Sequence, residues 1–149
     1  MSEMFHRIVV STDFSSCSEE AWTVARRLAT ALGSELILVH VFVEGPLWSE
    51  TPFNADRTRQ IFAEGREWVR AKLDEWAKPA RAAGLQVRVA MPDGVPHKEI
   101  VALATHERAA LIVIGTHGRG GLDRALLGSV ADRVLRLATC PVLTVREPA

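Results

Sequence analysis

Glycines recur in one polar stretch of this chain, between a run of apolar residues and a segment with helical periodicity. The stretch runs from Gly115 to Ser129 and reads Gly-Thr-His-Gly-Arg-Gly-Gly-Leu-Asp-Arg-Ala-Leu-Leu-Gly-Ser. Because glycine has no Cβ, its backbone can approach an anion closely and turn N–H groups toward it. A following helix adds unpaired N–H groups and the positive end of its dipole. The order strand, glycine loop, helix therefore predicts a phosphate-binding site.

This stretch matches neither of two common phosphate-binding motifs. A dinucleotide fingerprint requires Gly-x-Gly-x-x-Gly, and a Walker A loop ends in Gly-Lys followed by Ser or Thr. Here Gly128 stands directly before Ser129, with no lysine between them. His117 is a candidate phosphate donor or proton carrier, and Arg119 and Arg124 are candidates to neutralise phosphate charge. For each of these three side chains, simple solvation in a loop is the alternative.

Strand-like and helix-like segments alternate along the chain and would position this loop. Short β-branched or apolar runs predict strands at 7–11, 35–42, 86–91, 110–114 and 141–146, and apolar residues at helical spacing predict helices at 16–32, 55–83, 96–106 and 129–138. Such alternation with short connections indicates right-handed βαβ units. The predicted fold class is α/β, an open doubly wound five-stranded parallel sheet with helices on both faces.

Two of the predicted helices begin with residues typical of N-terminal capping boxes, and one of these helices follows the glycine loop. Ser16 with Glu19, and Ser129 with Asp132, have the spacing of capping boxes. Ser129 therefore has two interpretations, as a phosphate ligand or as a residue that only caps its own helix.

Three aromatic residues have the appearance of a cofactor box. Phe62, Trp68 and Trp76 recur at helical spacing and are predicted to pack in the core. Trp48 lies in the predicted loop 43–54, and it either packs back onto the domain or contacts a ligand or partner.

Asp13 follows the first predicted strand, and Gly115 ends the fourth. In doubly wound sheets, ligands bind beyond the carboxyl ends of the strands, where the strand order reverses. If these two strands are neighbours at that point, Asp13 and the glycine loop face one crevice. The alternative for Asp13 is a turn or N-cap residue before the first helix.

Composition limits the other possibilities. A chain of 149 residues that is 48% hydrophobic fits a single domain spanning 1–149. Lys plus Arg and Asp plus Glu both number 18, so no net basic field favours nucleic acid or a membrane surface.

No run reaches the ~18 apolar residues of a membrane span, and residues 1–6 lack a secretion pattern, so we expect a cytoplasmic protein. Cys17 and Cys140 are predicted to be ordinary packing residues. His40 is predicted to pack beneath the site, and His6, His97 and His106 show no metal-ligand spacing.

The spacing Gly115-x2-Gly118-x9-Gly128-Ser129 resembles the ATP-binding pattern of the universal stress protein family. The opening Ile-Val-Val-Ser-Thr-Asp13-Phe-Ser, the pair His40-Val41 and the closing Cys140-Pro-Val-Leu-Thr-Val-Arg146 also resemble that family. The resemblance therefore covers nearly the whole chain, and it implies the strand order 3-2-1-4-5.

The resemblance also implies roles for individual residues. Asp13 would lie at the ribose of ATP, the backbone of Val41 at the adenine edge, and Thr12 beside the base pocket. Residues matched to the ribose and phosphates are Gly115, Gly118, Gly128, Ser129 and Val130, and Arg119, in the same loop, is predicted from its charge to join them. ATP, which normally brings Mg²⁺ with it, is the expected cofactor.

We expect binding rather than catalysis, because the sequence shows no nucleophile with a general base, no P-loop lysine and no carboxylate set for a cation. Any ATP hydrolysis should be slow. The expected function is a nucleotide-dependent sensor or regulator in the stress response, acting on an unknown downstream protein. The alternatives are a dimeric interaction or scaffold protein that binds no nucleotide, and, ranked last, an enzyme of related fold.

The last predicted strand also predicts self-association. If this strand lies at a sheet edge, it leaves backbone groups unpaired beside apolar side chains, and a two-fold dimer would cover them. The family resemblance likewise implies a homodimer through Val142, Leu143, Thr144 and Val145.

Overall fold

The computed structural model describes residues 3–43, 55–117 and 126–148. A 3₁₀ turn, Glu3–Phe5, precedes nine regular elements: β1 (Arg7–Ser11), α1 (Ser16–Leu32), β2 (Glu35–Val39), α2 (Ala55–Ala82), β3 (Val87–Ala90), α3 (Pro96–His106), β4 (Leu111–Gly115), α4 (Ser129–Leu137) and β5 (Val142–Val145). The predictions for Trp48, Gly118, Arg119 and Arg124 lie outside the described residues. The single-domain prediction for 1–149 stays a prediction.

All five strands are parallel, in the order β3-β2-β1-β4-β5. Val9 in the central strand lies between Ile37 of β2 and Ile112 of β4. The chain thus builds one half of the sheet outward from β1 and then returns to build the other half from β4. The predicted fold class and strand order are confirmed, and the switch point lies between β1 and β4.

Helices cover both faces of this sheet. Ile8, Val10, Leu36 and Leu38 point to one face, where they pack with residues of α1 and α2. Val9, Ile37, Val39 and Ile112 point to the other face and pack with residues of α3 and α4. Because successive side chains of a strand alternate between two covered faces, the central strands are continuously apolar. None of the helices in the described ranges is long and apolar enough to cross a membrane.

The structure contradicts the capping box predicted at Ser16 and the capping alternative for Ser129. α1 has Ser15 as its N-cap, whose side chain accepts a hydrogen bond from the backbone N–H of Ser18 at 3.2 Å. The cap lies one residue earlier than predicted because Ser16 is already helical and its hydroxyl contacts Glu147 instead.

In α4 the N-cap is Gly128, with no side-chain cap, so Ser129 does not cap its helix. The Asp132 carboxylate points along the helix and pairs with Arg136 at 3.1 Å.

α2 carries the three aromatic residues that were expected in the core. Phe62 packs edge-on against Phe42, with ring centroids 6.1 Å apart, and Trp76 packs against the core as a partly buried residue. Trp68 remains 52% exposed, so its core prediction is wrong. It makes an edge-to-face contact with Phe14, with the two ring centroids 5.6 Å apart.

Two arginines and two glutamates form an ion-pair network near the amino ends of the strands. Glu35 accepts from Arg7 at 3.2 Å and from Arg88, which also contacts both carboxylate oxygens of Glu107 at 2.9 and 3.1 Å. Burial raises the pKa of Glu35, but the hydrogen bonds from Arg88 and Arg7 outweigh it and hold that pKa below its usual value. The hydrogen bond from Arg88 likewise lowers the pKa of Glu107.

Candidate functional site

A cavity of about 230 Å³ opens at the carboxyl ends of β1, β2 and β4. This volume lies somewhat below roughly 300 Å³, the lower end of sites that hold small molecules. Seven of the nine predicted site residues line the cavity: Thr12, Asp13, Val41, Gly115, Gly128, Ser129 and Val130. The other two, Gly118 and Arg119, lie outside the described residues. The remaining lining residues are Ser11, Ser18, His40, Pro96, Ile100, Ile114, Thr116, His117 and Ala131.

The strand order arranges these residues across the cavity. Val41 follows β2, Asp13 follows the central strand β1, and Thr116 follows β4. The carboxylate therefore lies between an apolar side and a side rich in backbone N–H groups.

The apolar side is completed by the start of α3. Pro96 is the first residue of that helix and has no N–H, and the N-cap Val95 offers no side-chain acceptor. Ile100, one turn later, is 1% exposed and lines the cavity beside the buried Val41. This side can cover the face of a flat heterocycle while leaving main-chain groups to meet its edge.

The polar side is the start of α4. The first N–H groups of a helix have no partner within it, and the N-cap of α4, Gly128, has no side chain to cap them. Ser129, Val130 and Ala131, its first three residues, all line the cavity. The arrangement suits an anion, because these N–H groups and the positive end of the helix dipole meet at the cavity wall.

Packing within the protein requires glycine at two positions of the predicted phosphate loop. A Cβ on Gly115 would lie 3.0 Å from Sγ of Cys17 and 3.1 Å from its backbone C and O atoms. A Cβ on Gly128 would lie 2.8 Å from the carbonyl oxygen of Thr116. The lack of a side chain at these positions thus lets α1, β4 and α4 approach one another, whether or not a ligand is near.

Asp13 is both a turn residue and a cavity residue. Its Oδ1 accepts a hydrogen bond from the backbone N–H of Ser15 at 3.0 Å, and the intervening Phe14 has a φ of 63°. The turn interpretation from the sequence is therefore correct for one carboxylate oxygen. It does not displace the carboxylate from the cavity, which Asp13 lines.

His40 and Thr116 hold neighbouring parts of the rim. Nδ1 of His40 lies 2.8 Å from the carbonyl oxygen of Thr12, and its ring stacks on Phe14 with centroids 4.9 Å apart. The Thr116 backbone N–H donates to the carbonyl of Val145 at 2.9 Å, and Thr116 Oγ1 lies 3.0 Å from Nδ1 of His117. His117, left open by the sequence, is therefore at the cavity.

Sequence reasoning missed the contributions of Ser18, Pro96, Ile100 and Thr116. Thr116 lies within the glycine motif and was available from it. Pro96 opens the helix that follows β3, and that position also had a topological signal, since helices start at the carboxyl edge of such a sheet. Ser18 and Ile100 had no such signal, because each is one member of an ordinary helical stripe.

The cysteines and carboxylates provide no metal framework in the described part of the chain. Cys17 is buried and Cys140 partly buried, both are free thiols, and burial raises the pKa of Cys140. Across residues 3–43, 55–117 and 126–148, no group of three or more His, Cys, Asp or Glu side chains could hold a metal ion. Asp13 is the one carboxylate among the described residues that line the cavity.

Comparison with known proteins decides the family. The family model described as "Universal stress protein family" matches residues 4–146. The chain belongs to the universal stress protein family. The universal stress protein MJ0531 of Methanocaldococcus jannaschii is 35% identical over 150 residues, which are 97% of this chain and 84% of that protein.

Solved structures of family members agree with the fold. The structure of MJ0577, also from Methanocaldococcus jannaschii, is 31% identical with a TM-score of 0.81 and covers 98% of this chain and 99% of its own. A universal stress protein in complex with cAMP is 28% identical with a TM-score of 0.66, covering 94% and 95%. One from Archaeoglobus fulgidus in complex with dAMP is 25% identical with a TM-score of 0.66, covering 95% and 98%.

Proposed function

We propose that this universal stress protein binds an adenine nucleotide, ATP, in the cavity at the switch point. The observation that carries the proposal is that the start of α4, whose N-cap Gly128 has no side chain to cap it, lies in the same cavity as Asp13 and Val41. The base would lie on the apolar side, the ribose at Asp13 and the phosphates at Gly128, Ser129 and Val130. Gly115, Gly118 and Arg119 complete the proposed phosphate side.

Each part of a nucleotide has a chemical counterpart there. Val41, Pro96 and Ile100 offer apolar cover for a base, and main-chain groups near Val41 can meet its edge. A carboxylate has two oxygens that can accept hydrogen bonds from vicinal hydroxyls, and Asp13 lines the cavity. Unpaired helix N–H groups complement phosphate oxygens.

The relatives support an adenine nucleotide in particular. Two structural neighbours are complexes with cAMP and with dAMP, which share the adenine base. A Mg²⁺ ion prefers several oxygen ligands, and Asp13 is the single carboxylate among the described cavity residues. We therefore infer that any Mg²⁺ would arrive on the phosphates of ATP rather than in a protein site.

We propose a sensor or regulator of the stress response rather than an enzyme, acting in the cytoplasm through an unidentified partner. Ligand that binds only the folded state stabilises it by mass action, so occupancy can change the protein's properties without chemistry. Hydrolysis of ATP, if measured, should be slow.

We also propose that two copies pair through β5. Within the described ranges this strand pairs only with β4, and Leu143 is 36% exposed. The opposite edge of the sheet is protected differently, because Nε and one terminal nitrogen of Arg81 donate to the Val87 carbonyl at 3.1 and 2.9 Å. A guanidinium on an edge carbonyl hinders strand addition there. The same β5 edge favours the second candidate function, a dimeric scaffold without nucleotide.

Calorimetric titration of the purified protein with ATP separates the two functions. We expect saturable binding that Asp13→Asn weakens about tenfold or more, since a hydrogen bond to a charged group contributes roughly 1.5–3 kcal/mol. Asp132→Asn is the matched control, because that carboxylate pairs with Arg136 and is absent from the cavity lining. Wild type that takes up no ATP would leave only the scaffold function.

A further inference from the structure

The hydroxyl groups of Thr12 and Ser18 meet at the wall of the cavity. Their oxygens lie 3.0 Å apart, and the two residues are only 3% and 4% exposed. Both line the cavity beside Asp13. Their protons can be assigned, because each hydroxyl has one proton and carbonyl oxygens only accept.

The hydroxyl of Ser18 donates its hydrogen bond to the carbonyl oxygen of Ser15, with the two oxygens 2.9 Å apart. Its oxygen therefore accepts from Thr12, and it also accepts from the Ser15 hydroxyl at 3.3 Å. The Thr12 hydroxyl proton is thus committed to Ser18.

The other polar atoms of Thr12 are committed too. Its N–H donates to the Val39 carbonyl at 2.9 Å, its carbonyl accepts from Nδ1 of His40, and its hydroxyl oxygen accepts from the Phe14 N–H at 2.9 Å. Both donors of Thr12 are engaged inside the protein. Thr12 therefore has no hydrogen-bond donor to offer a ligand while this arrangement holds.

These hydrogen bonds hold the residues immediately before and after Asp13. Thr12 precedes it, and Phe14, with a φ of 63° that L-residues rarely adopt, is bonded back across it to the Thr12 hydroxyl. The Ser15 N–H holds one oxygen of the carboxylate itself. If Ser18 no longer accepted the Thr12 proton, that hydroxyl would be free to rotate, and the Phe14 N–H would lose its fixed acceptor.

We propose that Thr12 and Ser18 are a positioning pair that sets the Asp13 carboxylate for the ribose hydroxyls and so determines sugar specificity. This inference rests on the proposed nucleotide site. Thr12 then acts through Asp13 and touches neither base nor phosphate with a donor of its own.

The test compares ATP with 2′,3′-dideoxy-ATP, which lacks both hydroxyls but keeps the base and phosphates. Wild type should bind ATP at least about tenfold more tightly than the dideoxy nucleotide. Thr12→Val, which keeps the side-chain volume, and Ser18→Ala should each bring the ratio of the two Kd values to within about threefold of unity, mostly by weakening ATP. Because one shared bond carries both effects, the double variant should add little to either single change.

Control variants separate the positioning of the Asp13 carboxylate from a general loss of folding or of nucleotide binding. Thr12→Ser, which retains the hydroxyl, should keep the discrimination. Thr23→Val should keep it as well, since that hydroxyl donates only to Glu19 at 3.1 Å within α1. Should one of the two damaging variants fail to fold, the other still decides the result.

The possible results are distinct. Equal loss of both nucleotides in the variants, or an unchanged ratio, would overturn the pair's role while leaving the nucleotide site intact. Wild type that binds both nucleotides equally would overturn it too, because Asp13 would not then read the ribose. Wild type that binds neither would instead remove the proposed function.

Discussion

The backbone N–H of Gly128 donates to the carbonyl oxygen of Thr116, with the two atoms 2.6 Å apart. This bond joins the residue after β4 to the N-cap of α4. It leaves no room for a side chain, since a Cβ on Gly128 would lie 2.8 Å from that same oxygen. The start of α4 is therefore fixed against the end of β4 before any ligand is considered.

Gly128→Ala should destabilise the fold in the absence of nucleotide. The added methyl meets backbone that cannot rotate away, and overpacking of this kind costs roughly 1–3 kcal/mol. Urea unfolding of the ligand-free protein measures the loss. Gly65→Ala is the control: its Cβ would meet only the Phe42 ring at 3.7 Å in mid-helix, so it should stabilise by about 0.5–1 kcal/mol. Equal stabilities of the Gly128 variant and wild type would contradict the packing role.

Ser129→Ala should separate ligand binding from helix stability. Because Gly128 and not Ser129 is the N-cap, stability should change by no more than about 0.5 kcal/mol. If Ser129 contacts phosphate, affinity for ATP should nevertheless fall, by roughly fivefold or more. Ser15→Ala is the comparison, since loss of that N-cap should cost about 1 kcal/mol. A Ser129 variant that is stable and binds ATP like wild type would remove it from the site.

Thr144→Pro should prevent dimerisation and leave the monomer folded. In the parallel ladder, the N–H groups of Ile112 and Thr116 donate to Pro141 and Val145, so the backbone groups of Thr144 point away from β4. Proline is tolerated on an edge strand where the missing N–H faces outward. Sedimentation at micromolar concentration should give a dimer for wild type and a monomer for the variant. A monomeric wild type would rule out the proposed β5 dimer.

Acid should weaken the fold through the Arg88 network. The pKa values of Glu35 and Glu107 are lowered in the folded state, so both carboxylates bind protons less readily there than in the unfolded chain. Their contribution is complete above the usual value of 4.5 and is lost as the pH falls through the lowered folded values. The loss should be roughly 1 kcal/mol or less, because Arg88 is 48% exposed and solvent screens the pairs.

Unfolding curves at several pH values between about pH 7 and pH 3 would measure this contribution. Arg88→Met should flatten the acid slope. The same slope in wild type and variant would show that other groups produce it.

The sequence predicted the strands, the helices and their layers well, and the contacts of individual side chains poorly. Nearly continuous apolar runs such as Leu36 to Val39 indicated strands covered on both faces, and the structure buries them there. Helix ends were less certain, because Ser15, Ser16 and Ser18 lie close together and one spacing rule cannot choose among them as the cap. Trp68 was misjudged for a related reason: helical periodicity gives a residue's side of the helix but not how far the neighbouring layer extends over it.

The residue types alone identified a glycine loop between an apolar strand and an amphipathic helix, an aspartate after a buried strand, and a resemblance to one family. These follow from short-range rules, since turn, strand and helix preferences depend mainly on nearby residues. Only the tertiary structure decided that Asp13, Val41 and the start of α4 share one cavity, that Gly115 and Gly128 are excluded from carrying side chains by Cys17 and Thr116, and that Thr12 has both its donors engaged. The reason is physical: each of these depends on the approach of segments distant in sequence, which is set by how the layers pack.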